Sequence, residues 1–339
     1  MKPITAPPIP GVTSDNAQFS EPTNPGRAGS DSLQLTARSG PTLGLPARLD
    51  DYIGAAISKS SRRAYGCDLR HFWDCGGTVP ATPAQIAAYV SQGAGNLKPA
   101  TLRRRLASIG RAHTAQGMQN PCSSDLVRTV MRGVRRTHGA AQRQVRPVEP
   151  DQLRQICAGL TGVKGQRDRA LLLLGFLGAF RRSELVGLRV ADLDFVSQGL
   201  VVTLRRSKTD QEGQGRRIAI PVGDSDLCAV KAVRDWLSAA AISEGPILRA
   251  VTRAGRIGSA ALSDKAVALI VKRLLQRIGI DATEYSGHSL RAGFVTAAAR
   301  AGARVDRIKA QSGHASDAMV ARYVRDATLF DDNAAAGLL

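Results

Sequence analysis

The chain has 339 residues, with 47 Lys or Arg against 28 Asp or Glu, a formal net charge of +19. That length suits about two domains, and an apolar fraction of 43% is ordinary for a globular protein, which excludes a fully disordered basic chain. Of the cations, 38 are Arg and 9 are Lys. Arginine forks onto phosphate as lysine does not, so a polyanionic partner is the first expectation; the plain alternative is the arginine-rich coding of a GC-rich genome. Five cysteines (Cys67, Cys75, Cys122, Cys157 and Cys228) are scattered and never form a C-x-x-C pair, which speaks against a disulfide framework or a zinc site and suits a reducing cytoplasm. The longest apolar run, 170–180, lies between Arg169 and Arg181 and is too short to cross a bilayer, so it reads as a buried core helix. No continuous apolar segment follows Lys2, so neither a secretory signal nor a membrane partner is expected.

Residues 1–47 hold 8 of the 16 prolines and show no apolar periodicity, which predicts a flexible arm rather than a domain. A helical pattern follows over 48–137. A helix is predicted near 59–70, carrying Lys59, Arg62 and Arg63. Pro83 with Ile86, Ala87 and Val90 predicts a second, opened by proline. Pro99 opens a third, with Leu102, Leu106 and Ile109 on its apolar face and Arg103, Arg104, Arg105 and Arg111 off it. Leu126, Val130 and Val134 mark a fourth, accompanied by Arg128, Arg132, Arg135 and Arg136. Between Lys98 and Val148 there are 11 positive residues and one acid, Asp125, so a net +10 falls in 51 residues. One solvated helix face could carry part of this; two successive helices and a linker nearly free of acid are better explained by a phosphate backbone. The expected phosphate contacts are Lys59, Arg62, Arg63, Lys98, Arg103, Arg104, Arg105, Arg111, Arg132, Arg135, Arg136 and, on the linker 138–149, Arg143 and Arg146.

A second globular pattern covers 150–326. It opens with helices, passes through a β-hairpin whose strands, 200–204 and 217–221, flank a polar turn around Lys208, and returns to helices from 264. The fold expected is mainly α with a small β-sheet: an N-terminal helical domain followed by an α+β domain, with 327–339 as a tail.

Five features of the second domain stand out. Arg181 closes the apolar run within the phrase GAFRRSEL, with Glu184 one turn along; Lys208 sits on the hairpin turn; His288 and Arg291 form His-x-x-Arg; His314 follows a glycine; and Tyr323 comes nine residues later. Each alone fits a bland reading, such as a helix-end ion pair, a solvated lysine or a core tyrosine. Their order and spacing are specific. Together with the gap of 26 from His288 to His314, they resemble the tyrosine recombinase (phage integrase) family over the whole of 150–326, and the helical module resembles that family's core-binding domain. Within the family, SGHS at 286–289, ARAG at 299–302 and MRGVRR at 131–136 resemble the Cre-like branch, whereas His314 follows the wider family.

The resemblance implies a site-specific recombinase that cleaves and rejoins DNA through a 3′-phosphotyrosyl intermediate and a Holliday junction, without metal, ATP or other cofactor. It implies a C-shaped clamp on double-stranded DNA bearing an inverted-repeat site, a homotetramer of two synapsed dimers, a tail docking on the neighbouring protomer, and a bacterial cytoplasmic location. A phenol with an ordinary pKa near 10 is a weak nucleophile, so Tyr323 needs its phenolate stabilised and an acceptor for its proton. Arg181 and Arg291 can clamp the non-bridging oxygens of a five-coordinate phosphorus with charge-assisted bonds. By resemblance, Lys208 protonates the leaving 5′-oxygen, His288 shuttles the tyrosine proton, His314 bonds the phosphate and Glu184 holds the array. The same chemistry would serve a type IB topoisomerase; a catalytically dead DNA-binding regulator is the reading from another class.

Overall fold

The computed structural model describes residues 58–139, 145–205 and 215–327. The predicted arm, Arg143, Lys208 and the tail from 328 onward lie outside the described residues. The chain divides into two compact units, Met1–Ala141 and Gln142–Leu339.

In the first unit the described residues form four α-helices, α1 (Lys59–Asp74), α2 (Pro83–Gly93), α3 (Pro99–Ala115) and α4 (Asp125–His138). Proline at the start of α2 and α3 needs no backbone donor there, and Thr82 and Gln85 close a reciprocal capping box on α2. Helix α1 packs on α3, and α2 on α4, around Phe72, Ile86, Val90, Leu102 and Ile109. On α4 the buried stripe is Val127, Met131 and Val134, one residue out of step with the expected Leu126, Val130 and Val134. Leu126 stands 48% exposed. The spacing of four in the sequence allowed both registers; packing on α2 buries Val127 and Met131, keeps Val130 at the edge of the core and leaves Leu126 on the first turn.

The second unit contains α5 (Pro150–Ala158), α6 (Gly162–Leu177), α7 (Arg182–Gly187), the strands β1 (Leu193–Val196), β2 (Gly199–Leu204) and β3 (Arg216–Pro221), α8 (Ala229–Ala239), the strands β4 (Arg249–Val251) and β5 (Ile257–Ala261), and α9 (Asp264–Arg277), α10 (Ser289–Arg300), α11 (Val305–Ser312) and α12 (Asp317–Ala327). The sheet β1-β2-β3 is antiparallel, with Leu204 opposite Arg216 at the mouth of the hairpin, and β4-β5 is a separate antiparallel pair. Helix α6 is the apolar run: Leu171, Leu172, Leu173 and Leu174 are each at most 2% exposed, enclosed by α8, α10 and Trp236. Its close approach to neighbours needs Gly175, where a Cβ would come within 3.0 Å of both Leu185 and Leu290.

The last part of the predicted linker is docked rather than free. Val148 is fully buried, its N–H donates to Ser289 O at 3.0 Å, and the N–H of Arg146 donates to Glu284 O. Likewise residue 327, expected to begin the tail, still belongs to α12. Among the described residues no helix is long and apolar enough to cross a membrane.

Candidate active site

The apolar helix α6 stops at Gly178, and the chain turns through Ala179, whose φ of +48° is rare for a residue with a Cβ. The turn delivers Arg181 to the N-cap of α7. Glu184, three residues on and buried, accepts the Arg181 backbone N–H through Oε2 at 2.9 Å and the Arg181 guanidinium through Oε1 at 2.6 Å. One carboxylate thus caps the helix and fixes the arginine.

Arg291 lies on the first turn of α10, 6% exposed. Its Nη1 donates to Ala179 O at 2.8 Å, which accounts for the unusual turn, and also to Ser312 O. Burial, with Arg181 nearby, pushes its pKa down to about 10, so it remains charged at neutral pH. His288, the residue capping α10, is exposed and three residues from Arg291, on the same side of the helix.

Helix α11 ends at Gly313, which adopts the left-handed conformation, φ +64°. The carbonyls of the last helical turn lack intrahelical donors, and arginines from three elements take them. Arg216 Nη1 donates to Ala310 O and Gln311 O at 3.0 and 2.9 Å, Arg291 donates to Ser312 O, and Arg181 Nη2 donates to Gly313 O at 3.0 Å. The negative end of the helix dipole faces the same cations. His314 follows at once, 9% exposed.

The hydrogen bonds of His314 determine its tautomer. Ser312 Oγ lies 2.6 Å from Ile308 O and 2.7 Å from His314 Nδ1. Only one assignment places a proton in both contacts: the hydroxyl donates to the carbonyl, and Nδ1–H donates to the hydroxyl oxygen. Burial first, then Arg291, Arg181 and Arg216, hold the imidazole pKa down at about 4, so at neutral pH the ring is uncharged and Nε2 carries a lone pair. Tyr323 is brought alongside by α12, whose fully buried Val320 anchors a small cluster with Val295, Ala299 and Ile308. The His314 and Tyr323 ring centroids are 6.0 Å apart, tilted by 45°.

Of the residues expected from sequence, Arg181, Glu184, Arg291, His314 and Tyr323 converge here. Lys208 lies outside the described residues; the described arms of its hairpin end at Arg205 and resume at Gly215. Arg216 went unrecognised, yet the strand pattern carries the signal. In Arg-Arg-Ile-Ala-Ile-Pro, Ile218 and Ile220 are buried while Arg217 and Ala219 are exposed, so Arg216 shares the inward face. Among the described residues no group of three His, Cys, Asp or Glu could hold a metal ion.

The basic residues of the first unit divide in two. Arg62, Arg63, Lys98, Arg103, Arg111, Arg132, Arg135 and Arg136 are exposed, as is Arg146 in the second unit; Lys59 opens α1. Arg104, half exposed, and Arg105, largely buried, are engaged with an acid. Arg104 pairs with Asp68 through Nε at 3.0 Å and Nη2 at 2.6 Å; Arg105, 12% exposed, approaches the same carboxylate at 3.8 Å and donates to Tyr89 Oη. A buried carboxylate on α1 needs these partners, and that requirement is invisible in the sequence of α3.

This array can be set beside known proteins. The phage integrase family model matches residues 144–329. An integrase/recombinase xerD homolog from Selenomonas ruminantium is 41% identical over 284 residues, 80% of this chain and 83% of that protein. The recombinase Cre of Escherichia phage P1 is 26% identical over 268 residues, 73% of this chain and 77% of that protein, so the Cre-like phrases mark membership of one family and the xerD homolog is the nearer of these two. In fold, the Tn1549 transposon integrase in complex with transposon right end DNA matches with a TM-score of 0.58 at 17% identity, over 82% of this chain and 92% of that one. The chain belongs to the phage integrase family, the tyrosine recombinases, enzymes that break and rejoin DNA strands.

Proposed function

We propose that Tyr323 is the nucleophile of a site-specific recombinase acting on double-stranded DNA in the bacterial cytoplasm. The observation that carries the reading is the convergence of Arg181, held by Glu184, and Arg291 on one helix end, beside His314 and the Tyr323 ring. The phenol oxygen attacks phosphorus, the P–O5′ bond breaks, and a 3′-phosphotyrosyl bond forms with the release of a 5′-hydroxyl. Its proton comes from Lys208, and His288 receives the proton that Tyr323 gives up.

Arg181 and Arg291 stabilise the negative charge growing on the non-bridging oxygens, where charge-assisted bonds fixed in advance are strongest. An anion among these cations raises the His314 pKa from its depressed value, so that Nε2 takes up a proton from solvent, keeps it, and donates a hydrogen bond to the phosphate. The exposed arginines of α3 and α4 hold the backbone of an inverted-repeat site, and four protomers assemble as two dimers in synapsis and pass through a Holliday junction.

Replacing Tyr323 with Phe should leave DNA binding intact and abolish covalent attachment to a nicked suicide duplex. A phenylalanine variant that still forms the adduct would sink the assignment. Relaxation of supercoiled DNA lacking any target site would move the function to a topoisomerase.

A further inference from the structure

Arg216 is the one arginine of the cluster with no role in the reading above, and its surroundings are unusual. It is the first residue of β3, opposite Leu204, and its side chain reaches from the sheet to the end of α11. There Nη1 bridges two successive carbonyls, those of Ala310 and Gln311. Nη2 is buried and has no hydrogen-bond partner among the described residues. The guanidinium lies against the backbone of Gly313: a Cβ at that position would stand 2.4 Å from Nη1 and 2.6 Å from Cζ. Gly313 is therefore required twice, for its positive φ and for the arginine above it. From the same helix end, Gln311 Nε2 donates to Leu177 O at 2.8 Å and Ala219 O at 3.2 Å, so the contact joins β3, α6 and α11.

We propose that Arg216 is a positioning residue for His314: it pins the helix end and the Gly313 turn that together present the imidazole, Ser312 O and Gly313 O to the reacting phosphate. The proposal rests on the recombinase reading only for what the presented groups act upon. Arg216 fixes the carbonyls of residues 310 and 311, Arg291 that of 312 and Arg181 that of 313, so the three arginines hold one continuous segment, 310–313. Arg216 also adds a positive charge close to the imidazole. The groups facing His314 are Arg216 from β3, Arg181 before α7, Arg291 from α10 and Tyr323 from α12; Glu184 opposes the arginines, and Lys309 and Asp317 pair with each other at 2.8 Å nearby. Removing one cation from this set releases the imidazole toward its ordinary titration.

The test uses the full chain with Arg216→Gln and Arg216→Lys. It follows the titration of the His314 ring by NMR without DNA, and adduct formation on a nicked duplex selected by the wild-type chain from a random-sequence pool. Glutamine should raise the His314 pKa from its value near 4 and slow attachment about 100-fold, with half-site affinity little changed. Lysine keeps the charge but cannot bridge two carbonyls, so the pKa should stay low while attachment slows about tenfold. An unmoved His314 titration in the glutamine variant, or equal shifts in both variants, would overturn the proposal. If the glutamine variant does not fold, a folded lysine variant attaching at the wild-type rate overturns it as well. A wild-type chain that selects no duplex would instead count against the recombinase reading, leaving the DNA-free titration to decide the role of Arg216.

Discussion

In the helical unit, Asp68, 1% exposed, accepts two hydrogen bonds from Arg104 and one from Ser108 and lies within ion-pair reach of Arg105. In the second unit Arg181 pairs with Glu184, whereas Arg216 and Arg291 donate through Nη1 to backbone carbonyls, as Arg181 also does through Nη2. Both arrangements bury arginine, and they do opposite things. A carboxylate neutralises the cation it holds, so the Asp68 group works as a strut between α1 and α3. Carbonyl dipoles fix geometry without removing charge, so the second cluster stays positive and rigid, and an anion placed within it gains both properties. Burial of an arginine is thus uninformative until its partner is known; the ratio of cations to carboxylates separates support from chemistry.

The largest expected effect tests that distinction in the second unit. Arg291→Ala should slow covalent attachment by about 10²–10³-fold, about 3–4 kcal/mol, and Arg291→Lys should recover little because an ammonium cannot fork between carbonyls and phosphate. If the alanine variant bound DNA more weakly by the same factor while attaching at the wild-type rate once bound, Arg291 would be a strut like its counterparts in the helical unit. The converse experiment is Asp68→Ala. Removing the acid leaves Arg105 buried against Tyr89, and urea unfolding should show the helical unit destabilised by about 3 kcal/mol, the low end for a broken buried pair because Arg104 is 53% exposed. Attachment per bound complex should not change; a slowed chemical step would show that the two arginine groups are not separable.

A smaller effect follows from the low pKa of His314. Between its ordinary 6.5 and about 4 the unfolded chain takes up a proton that the folded chain refuses, so stability falls as pH drops through that window. Lowering the pH from 6.5 to 5.5 should lower unfolding free energy by about 1 kcal/mol more in the wild type than in a His314→Asn variant. Identical pH dependence in the two proteins would mean that the imidazole takes up its proton in the fold as readily as in the unfolded chain, and that burial and the arginines do not set its state.

Much of this site was legible in the sequence because catalytic spacing is a statement about chain order: Arg181 with Glu184, His288 with Arg291, and His314 with Tyr323 keep their intervals whatever surrounds them. Helix starts at Pro83 and Pro99 were equally readable, since proline's missing donor is a local property. Long-range partners were not readable. Nothing near Arg104 announces Asp68, 36 residues earlier, and nothing near Arg216 announces the carbonyls of Ala310 and Gln311, 94 and 95 residues later. The stripe of α4 was misread by one residue because apolar side chains at 126, 127, 130, 131 and 134 satisfy two helical faces, and only packing on α2 chooses between them.

The finest test lies among arginines that the sequence makes indistinguishable, the triplet 103–105. A side chain that meets phosphate releases a counterion when DNA binds; one already held by a carboxylate releases none. Arg103→Ala and Arg111→Ala, both at exposed positions, should each lower the slope of log affinity against log salt by about 0.9. Arg105, 12% exposed and within 3.8 Å of Asp68, should leave the slope unchanged when replaced by methionine, which keeps its apolar stem. Arg104 lies between these cases, half exposed yet doubly bonded to Asp68, and the fraction of a unit by which Arg104→Met changes the slope measures how far DNA competes with that carboxylate. A full unit lost at Arg105 would mean that α3 meets DNA through the residues it buries here, and that the net charge of this helix, rather than its ion pairing, governs the contact.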